Sequence, residues 1–171
     1  DYRYGSGKDY DGPVLGDRQI FKNTGANLQI RGGSGIPYNP QSNFTSTRLF
    51  SNSPSPLQKG AINSASLPWS FRFDLNLDRD FTYAKEGGKH KYYFNVFLQV
   101  RNLLNTRNVN GVYRATGNPD DDGYLNSAFG LQFAGEQNST AAFQEYYTMK
   151  LWNPTNWQLP RRFRIGVRMS F

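Results

Sequence analysis

The sequence predicts an all-β fold: the last four antiparallel strands of a transmembrane β-barrel, with long loops that contain short helices. Three observations carry that prediction. Aromatic side chains, which favour strands, are abundant, with 3 Trp, 11 Tyr and 13 Phe in 171 residues. Several segments alternate apolar and polar residues with a period of two, over lengths well beyond the soluble-strand mode of about 5 to 6 residues. No run approaches the roughly 18 apolar residues of a spanning helix, and the start lacks a secretory-signal pattern, yet a barrel strand needs only about 9 to 11 residues with every second one apolar. A mean hydropathy of −0.72 therefore excludes a helical membrane protein and leaves a barrel open.

The strands are read in order near 18–31, 69–81, 92–104 and 162–171. In the first, Ala26, Leu28 and Ile30 alternate with Asn27, Gln29 and Arg31. The second is the clearest: Trp69, Phe71, Phe73, Leu75, Leu77, Arg79 and Phe81 alternate with Ser70, Arg72, Asp74, Asn76, Asp78 and Asp80. In the third, Tyr92, Phe94, Val96, Leu98 and Val100 oppose Tyr93, Asn95, Phe97, Gln99 and Arg101. The fourth alternates Phe163, Ile165, Val167, Met169 and Phe171 with Arg162, Arg164, Gly166, Arg168 and Ser170. Such faces fit a sheet with lipid on one side and a wet lumen on the other. The lipid-facing set is Phe71, Phe73, Leu75, Leu77, Val96, Leu98, Val100, Ile165, Val167 and Met169. The lumen-facing set is Arg72, Asp74, Asn76, Asp78, Asn95, Gln99, Arg101, Arg164 and Arg168.

Between the second and third strands, Thr82 to Lys91 is a polar connection with Gly87-Gly88 that reverses the chain. Setting Phe81 opposite Tyr92 pairs Leu77 with Val96, Leu75 with Leu98 and Phe73 with Val100, and on the other face Asp78 with Asn95 and Asp74 with Gln99. Both apolar faces then coincide, as one sheet requires. The loops at 32–68 and 105–161 are much longer. The first is rich in Gly, Ser, Asn and Pro, including Ser53-Pro54-Ser55-Pro56. The second holds candidate helices near 124–134 and 140–152, the latter capped by Ser139, with Phe143, Tyr146, Tyr147 and Leu151 at helical spacing. One short turn and very long alternate loops match an outer-membrane barrel. Aromatic girdles then fall at Trp69 and Phe163 on the outer side and at Phe81, Tyr92 and Phe171 on the inner side.

Composition narrows the chemistry. Without cysteine there are no disulfides, thiolate metal sites or cysteine nucleophiles. A net charge of +7 comes with 13 interspersed acidic residues and no nucleic-acid-binding signature, so no nucleic-acid partner is expected. His90 lies in a Gly-Gly-Lys-His-Lys turn with no nucleophile or carboxylate implied by spacing. Asp74, Asp78 and Asp80 share a face and imitate a glycosidase carboxylate pair, but lumen ion pairs with Arg72 or Arg101 explain them more simply. Asp120, Asp121 and Asp122 are weak calcium candidates that lack EF-hand spacing; turn formation or helix capping fits them better. Gly32-Gly33-Ser34-Gly35 lacks the setting of a phosphate loop. Asn43-Phe44-Thr45 and Asn138-Ser139-Thr140 match glycosylation acceptors only formally. No cofactor and no catalytic residue are expected.

The stretches Leu67-Pro68-Trp69-Ser70-Phe71-Arg72-Phe73-Asp74-Leu75, Asn95 to Val109 (NVFLQVRNLLNTRNV) and Ala115 to Leu125 (ATGNPDDDGYL), with the ending Leu159 to Phe171 and Gly32 to Tyr38, resemble the carboxy-terminal barrel of TonB-dependent outer-membrane receptors. They are most similar to the Oar-like group common in Bacteroidota. The resemblance implies a barrel of about 22 strands around an amino-terminal plug. It also implies ligand uptake powered through TonB, in the outer membrane of a bacterium. The chain departs from that pattern in having no plug, no TonB-contacting segment and too few strands to close. It is expected to be the end of a longer polypeptide, whose partners are outer-membrane lipid, the rest of the barrel and its plug, TonB through the missing part, and a larger envelope complex. Phe171 is similar to the terminal aromatic that barrel-assembly machinery recognises.

Two other functions stand beside this one. A soluble β-rich carbohydrate-binding domain would stack sugars on exposed Tyr and Trp, but strand length and the terminal aromatic argue against it. An enzyme has only scattered acids in its favour.

Overall fold

The computed structural model describes residues 1–42, 57–84 and 91–170. The fold is mainly β, with antiparallel sheets. Among the described residues no helix is long and apolar enough to cross a membrane. The chain divides into two compact units, one of 1–31, 71–106 and 159–171, the other of 32–70 and 107–158.

The first unit is built on a five-stranded sheet in the order β1-β4-β7-β8-β9. Its strands are β1 (Tyr2–Arg3), β4 (Thr24–Gly33), β7 (Ser70–Ala84), β8 (Lys91–Arg101) and β9 (Arg162–Ser170). A separate hairpin pairs β2 (Val14–Leu15) with β3 (Arg18–Gln19). The strand expected over 18–31 is thus two elements. The chain turns at Gly16 and Asn23, both with positive φ, and only from Thr24 does it join the main sheet.

The β7–β8 hairpin differs from the expected register by two residues: Leu75 pairs with Val100, Leu77 with Leu98, Phe81 with Phe94 and Tyr83 with Tyr92. Both strands run closer to the turn than expected, to Ala84 and from Lys91, because Tyr83 and Tyr92 extend the alternation. An even shift leaves every side chain on its predicted face. Gln99 meets Asn76 instead of Asp74, and Asn95 meets Asp80 instead of Asp78. At its far end β8 stops at Arg101, three residues earlier than read, because Asn102 adopts φ of 55°.

β9 continues the pattern, with Val100 against Phe163, Leu98 against Ile165, Val96 against Val167 and Phe94 against Met169. On the other side of β7, the Asp80 N–H donates to Asn23 O and Asn76 Nδ2 donates to Asn27 Oδ1 at 3.5 Å. Both contacts fix one antiparallel register, which sets Thr24 across from Arg79, Gly25 from Asp78 and Ala26 from Leu77.

The second unit contains structure where the sequence reads as loop. β5 (Pro37–Tyr38) pairs with β6 (Ala65–Ser66). α1 spans Ala128–Gly135 and α2 spans Thr140–Leu151. α1 starts later than expected because Asp121 to Ser127 form turns, and Ser127 Oγ then accepts from Gly130 N. Ser139 caps α2 as predicted, accepting from Ala142 N. The core here is Tyr124, Tyr147 and Leu151, with Tyr113, Leu125 and Phe143 packed around it.

Candidate functional site

The sheet presents two chemically distinct faces. On one, Ile165 is 75% exposed and Phe163, Val167 and Met169 are 59% exposed or more, with Leu28, Ile30, Phe71, Phe81 and Val96 also exposed. Phe73, Leu75, Leu77 and Leu98 on this face are half-buried. Val100, expected to face lipid, is the exception at 3% exposure, a small side chain between Leu75 and Phe163 in its row. Of the expected girdle residues, Trp69, Phe81, Tyr92 and Phe163 are all exposed. Phe171, as girdle residue and as terminal signal, lies outside the described residues, as do His90, Gly87-Gly88, Asn43-Phe44-Thr45 and Ser53-Pro54-Ser55-Pro56.

The opposite face is a polar network. Arg3 reaches from β1 with Nη2 on Asp78 Oδ2 at 2.7 Å and Nη1 on Asp80 Oδ2 at 2.9 Å. Asn95 Nδ2 donates to Asp80 Oδ1 at 2.7 Å and to Asp78 Oδ2 at 3.1 Å. Gly25 leaves room for this bridge, since a Cβ there would meet Arg3 Nη2 and Asp78 Oδ1, each at 2.7 Å. Along the same face the Phe97 ring lies over Gly166, and the Arg168 guanidinium stacks on that ring at 4.7 Å from its centroid. Arg72 Nε pairs with Asp74 at 3.1 Å, as expected of one of its two candidate partners. Arg3 was not legible as a site residue, because a two-residue strand carries no period.

Asp74 is buried, and its second contact explains the cost: Oδ1 accepts the Asn102 backbone N–H at 2.9 Å. Asn102, 2% exposed, ties three segments of this unit together. Its Nδ2 donates to Thr106 O and Leu159 O, and its Oδ1 accepts from Thr106 N.

In the second unit the three consecutive aspartates do not converge on one point. Asp120 Oδ1 accepts from the Trp157 indole at 3.0 Å, Asp121 Oδ1 from Gly123 N, and Asp122 Oδ1 from Tyr124 N with Oδ2 on the Tyr147 hydroxyl at 2.6 Å. Among the described residues no cluster of three or more His, Asp or Glu side chains suits a metal ion. These carboxylates order a turn against a buried tyrosine, which is the structural reading of the motif. Beside α1 and α2 lies an open groove of about 940 Å³, lined by Leu125, Leu131, Met149 and Trp152 together with Asp120 and Glu145.

No family model, curated protein or solved structure matches this chain. The chemistry of the two faces therefore carries the functional reading.

Proposed function

We propose that the chain is the carboxy-terminal part of an outer-membrane β-barrel of the TonB-dependent receptor kind, structural and ligand-facing, with no catalysis of its own. The supporting observation is a single sheet with a largely apolar, mostly exposed face, while its other face is crossed by ion pairs and amides. In water an exposed apolar face this long is a liability; against hydrocarbon tails it is the favourable arrangement.

The strand lengths agree. Fifteen, eleven, ten and nine residues in β7, β8, β4 and β9 suit tilted spanning strands, which need about 9 to 11. β9 pairs on one side only among the described strands, and an unpaired edge in lipid costs several kcal/mol per amide. Further strands of the same barrel would complete it. Its polar face would look into a lumen filled by a plug, TonB would act through another part of the polypeptide, and the two long connections would help capture ligand, within a larger envelope complex.

The test compares neighbours on opposite faces. In the full-length polypeptide folded into lipid vesicles, Leu75→Arg is expected to lower folding free energy by about 2 to 4 kcal/mol and Asn76→Arg by less than about 1. Equal loss at both positions in denaturant titrations would refute a lipid-facing sheet.

A further inference from the structure

The apolar face carries one charge that its own neighbours do not neutralise. Arg79 sits among Leu77, Phe81 and Val96, whereas the adjacent Asp78 and Asp80 project to the other face, where Arg3 and Asn95 hold them. Among the described residues the Arg79 guanidinium has no ion pair or hydrogen bond; it rests over the Phe81 ring, 5.2 Å from the centroid. The opposite residue in the β4–β7 register is Thr24, whose hydroxyl is buried and has no hydrogen-bond partner among the described residues. A cation and a buried hydroxyl thus share a row of a face that is otherwise apolar there, completed by Val96 and Val167.

Position decides what such a charge is for. Arginine at the middle of a lipid-facing strand is strongly unfavourable, and near the interface it is almost neutral. From Trp69 to Arg79 is ten residues, or about 33 Å along a strand. At the usual tilt this spans about 25 Å, the height of the apolar band. The side chain leans toward Phe81, and therefore toward the turn end of the hairpin, where Tyr83 and Tyr92 are exposed. That is the direction in which a long cationic side chain reaches for water from an apolar surface.

We infer that Arg79, with Phe81 beneath it, is a binding position for the phosphate of a membrane lipid headgroup, and that it marks the hairpin-side boundary of the apolar band. The inference rests on the lipid-facing reading of the sheet. Guanidinium suits the role because its fork of N–H donors matches phosphate oxygens.

The experiment uses full-length protein with carbon-13 at the arginine Cζ, in vesicles of phosphatidylethanolamine and phosphatidylglycerol. Carbon–phosphorus dipolar dephasing in solid-state NMR reads the proximity of guanidinium to phosphate. Arg79→Gln is expected to remove a resolved fraction of the dephased signal, while Arg168→Gln, on the polar face, leaves that fraction in place. Arg79→Lys keeps the positive charge yet lacks the labelled carbon, so it reports the same loss if the glutamine variant fails to assemble. Dephasing unchanged in both Arg79 variants overturns the inference. A separate Ile165→Trp probe tests the underlying reading: quenching by lipids with brominated acyl chains supports a lipid-facing sheet whatever Arg79 does. Absence of quenching removes that reading and this inference together.

Discussion

Asn102 shows how much a single residue carries in this chain. It occupies a left-handed conformation, φ 55°, while its amide joins Thr106 and Leu159 and its backbone N–H serves Asp74. Asn102→Gly keeps the backbone accessible and loses the amide bonds; Asn102→Ala loses the bonds and adds a left-handed penalty of about 1 kcal/mol. Denaturation midpoints should therefore rank wild type above glycine and glycine above alanine. In the second unit, Tyr147→Phe takes a 2.6 Å hydroxyl donor from the buried Asp122 carboxylate and should cost about 1 to 3 kcal/mol in chemical denaturation. Tyr124 beside it responds to pH. Burial first, and the Asp122 charge second, push its phenol above the ordinary 10.0. The folded chain holds this proton more tightly than the unfolded chain does, so its stabilisation is intact below pH 10 and falls away as pH climbs through the folded value. Tyr124→Phe should flatten that part of an alkaline stability profile.

At the scale of elements, packing between β8 and β9 depends on the absence of a side chain. A methyl at Gly166 would lie 2.5 Å from Phe97 Cζ, with the Arg168 guanidinium stacked on the same ring. Gly166→Ala should destabilise by about 1 to 3 kcal/mol through overpacking. Phe97→Ala combined with Gly166→Ala should cost less than the sum of the two, a coupling that a double-mutant cycle measures directly. Neither strand shows this in its sequence, where Phe97 reads as an aromatic out of place on a polar face. What was legible was the long alternation of β7, β8 and β9 and the Ser139 cap, because these are local patterns. Most two-residue strands were invisible: β1, β2, β5 and β6 are held by their pairing, and two residues cannot display a period, while β3 was read as the start of a longer strand.

For the molecule as a whole, the candidate site was legible as faces and illegible as contacts. Alternation assigns Asp78, Asp80 and Asn95 to one side, but the Arg3 bridge depends on a partner 75 residues away. The triple aspartate reads as a turn from its sequence, but the partners of its oxygens do not, since Trp157 and Tyr147 lie 37 and 25 residues away. The register of the β7–β8 hairpin has a further consequence. It departs from the simplest pairing by an even number, and parity is what such a ribbon must preserve. Removing one residue between Leu75 and Asp80 would turn the rest of the strand over, sending carboxylates to the apolar face and leucine to the charged face. Removing two neighbours would merely slide the ladder. Natural length variation in this strand should therefore come in pairs, a bookkeeping rule imposed by geometry alone.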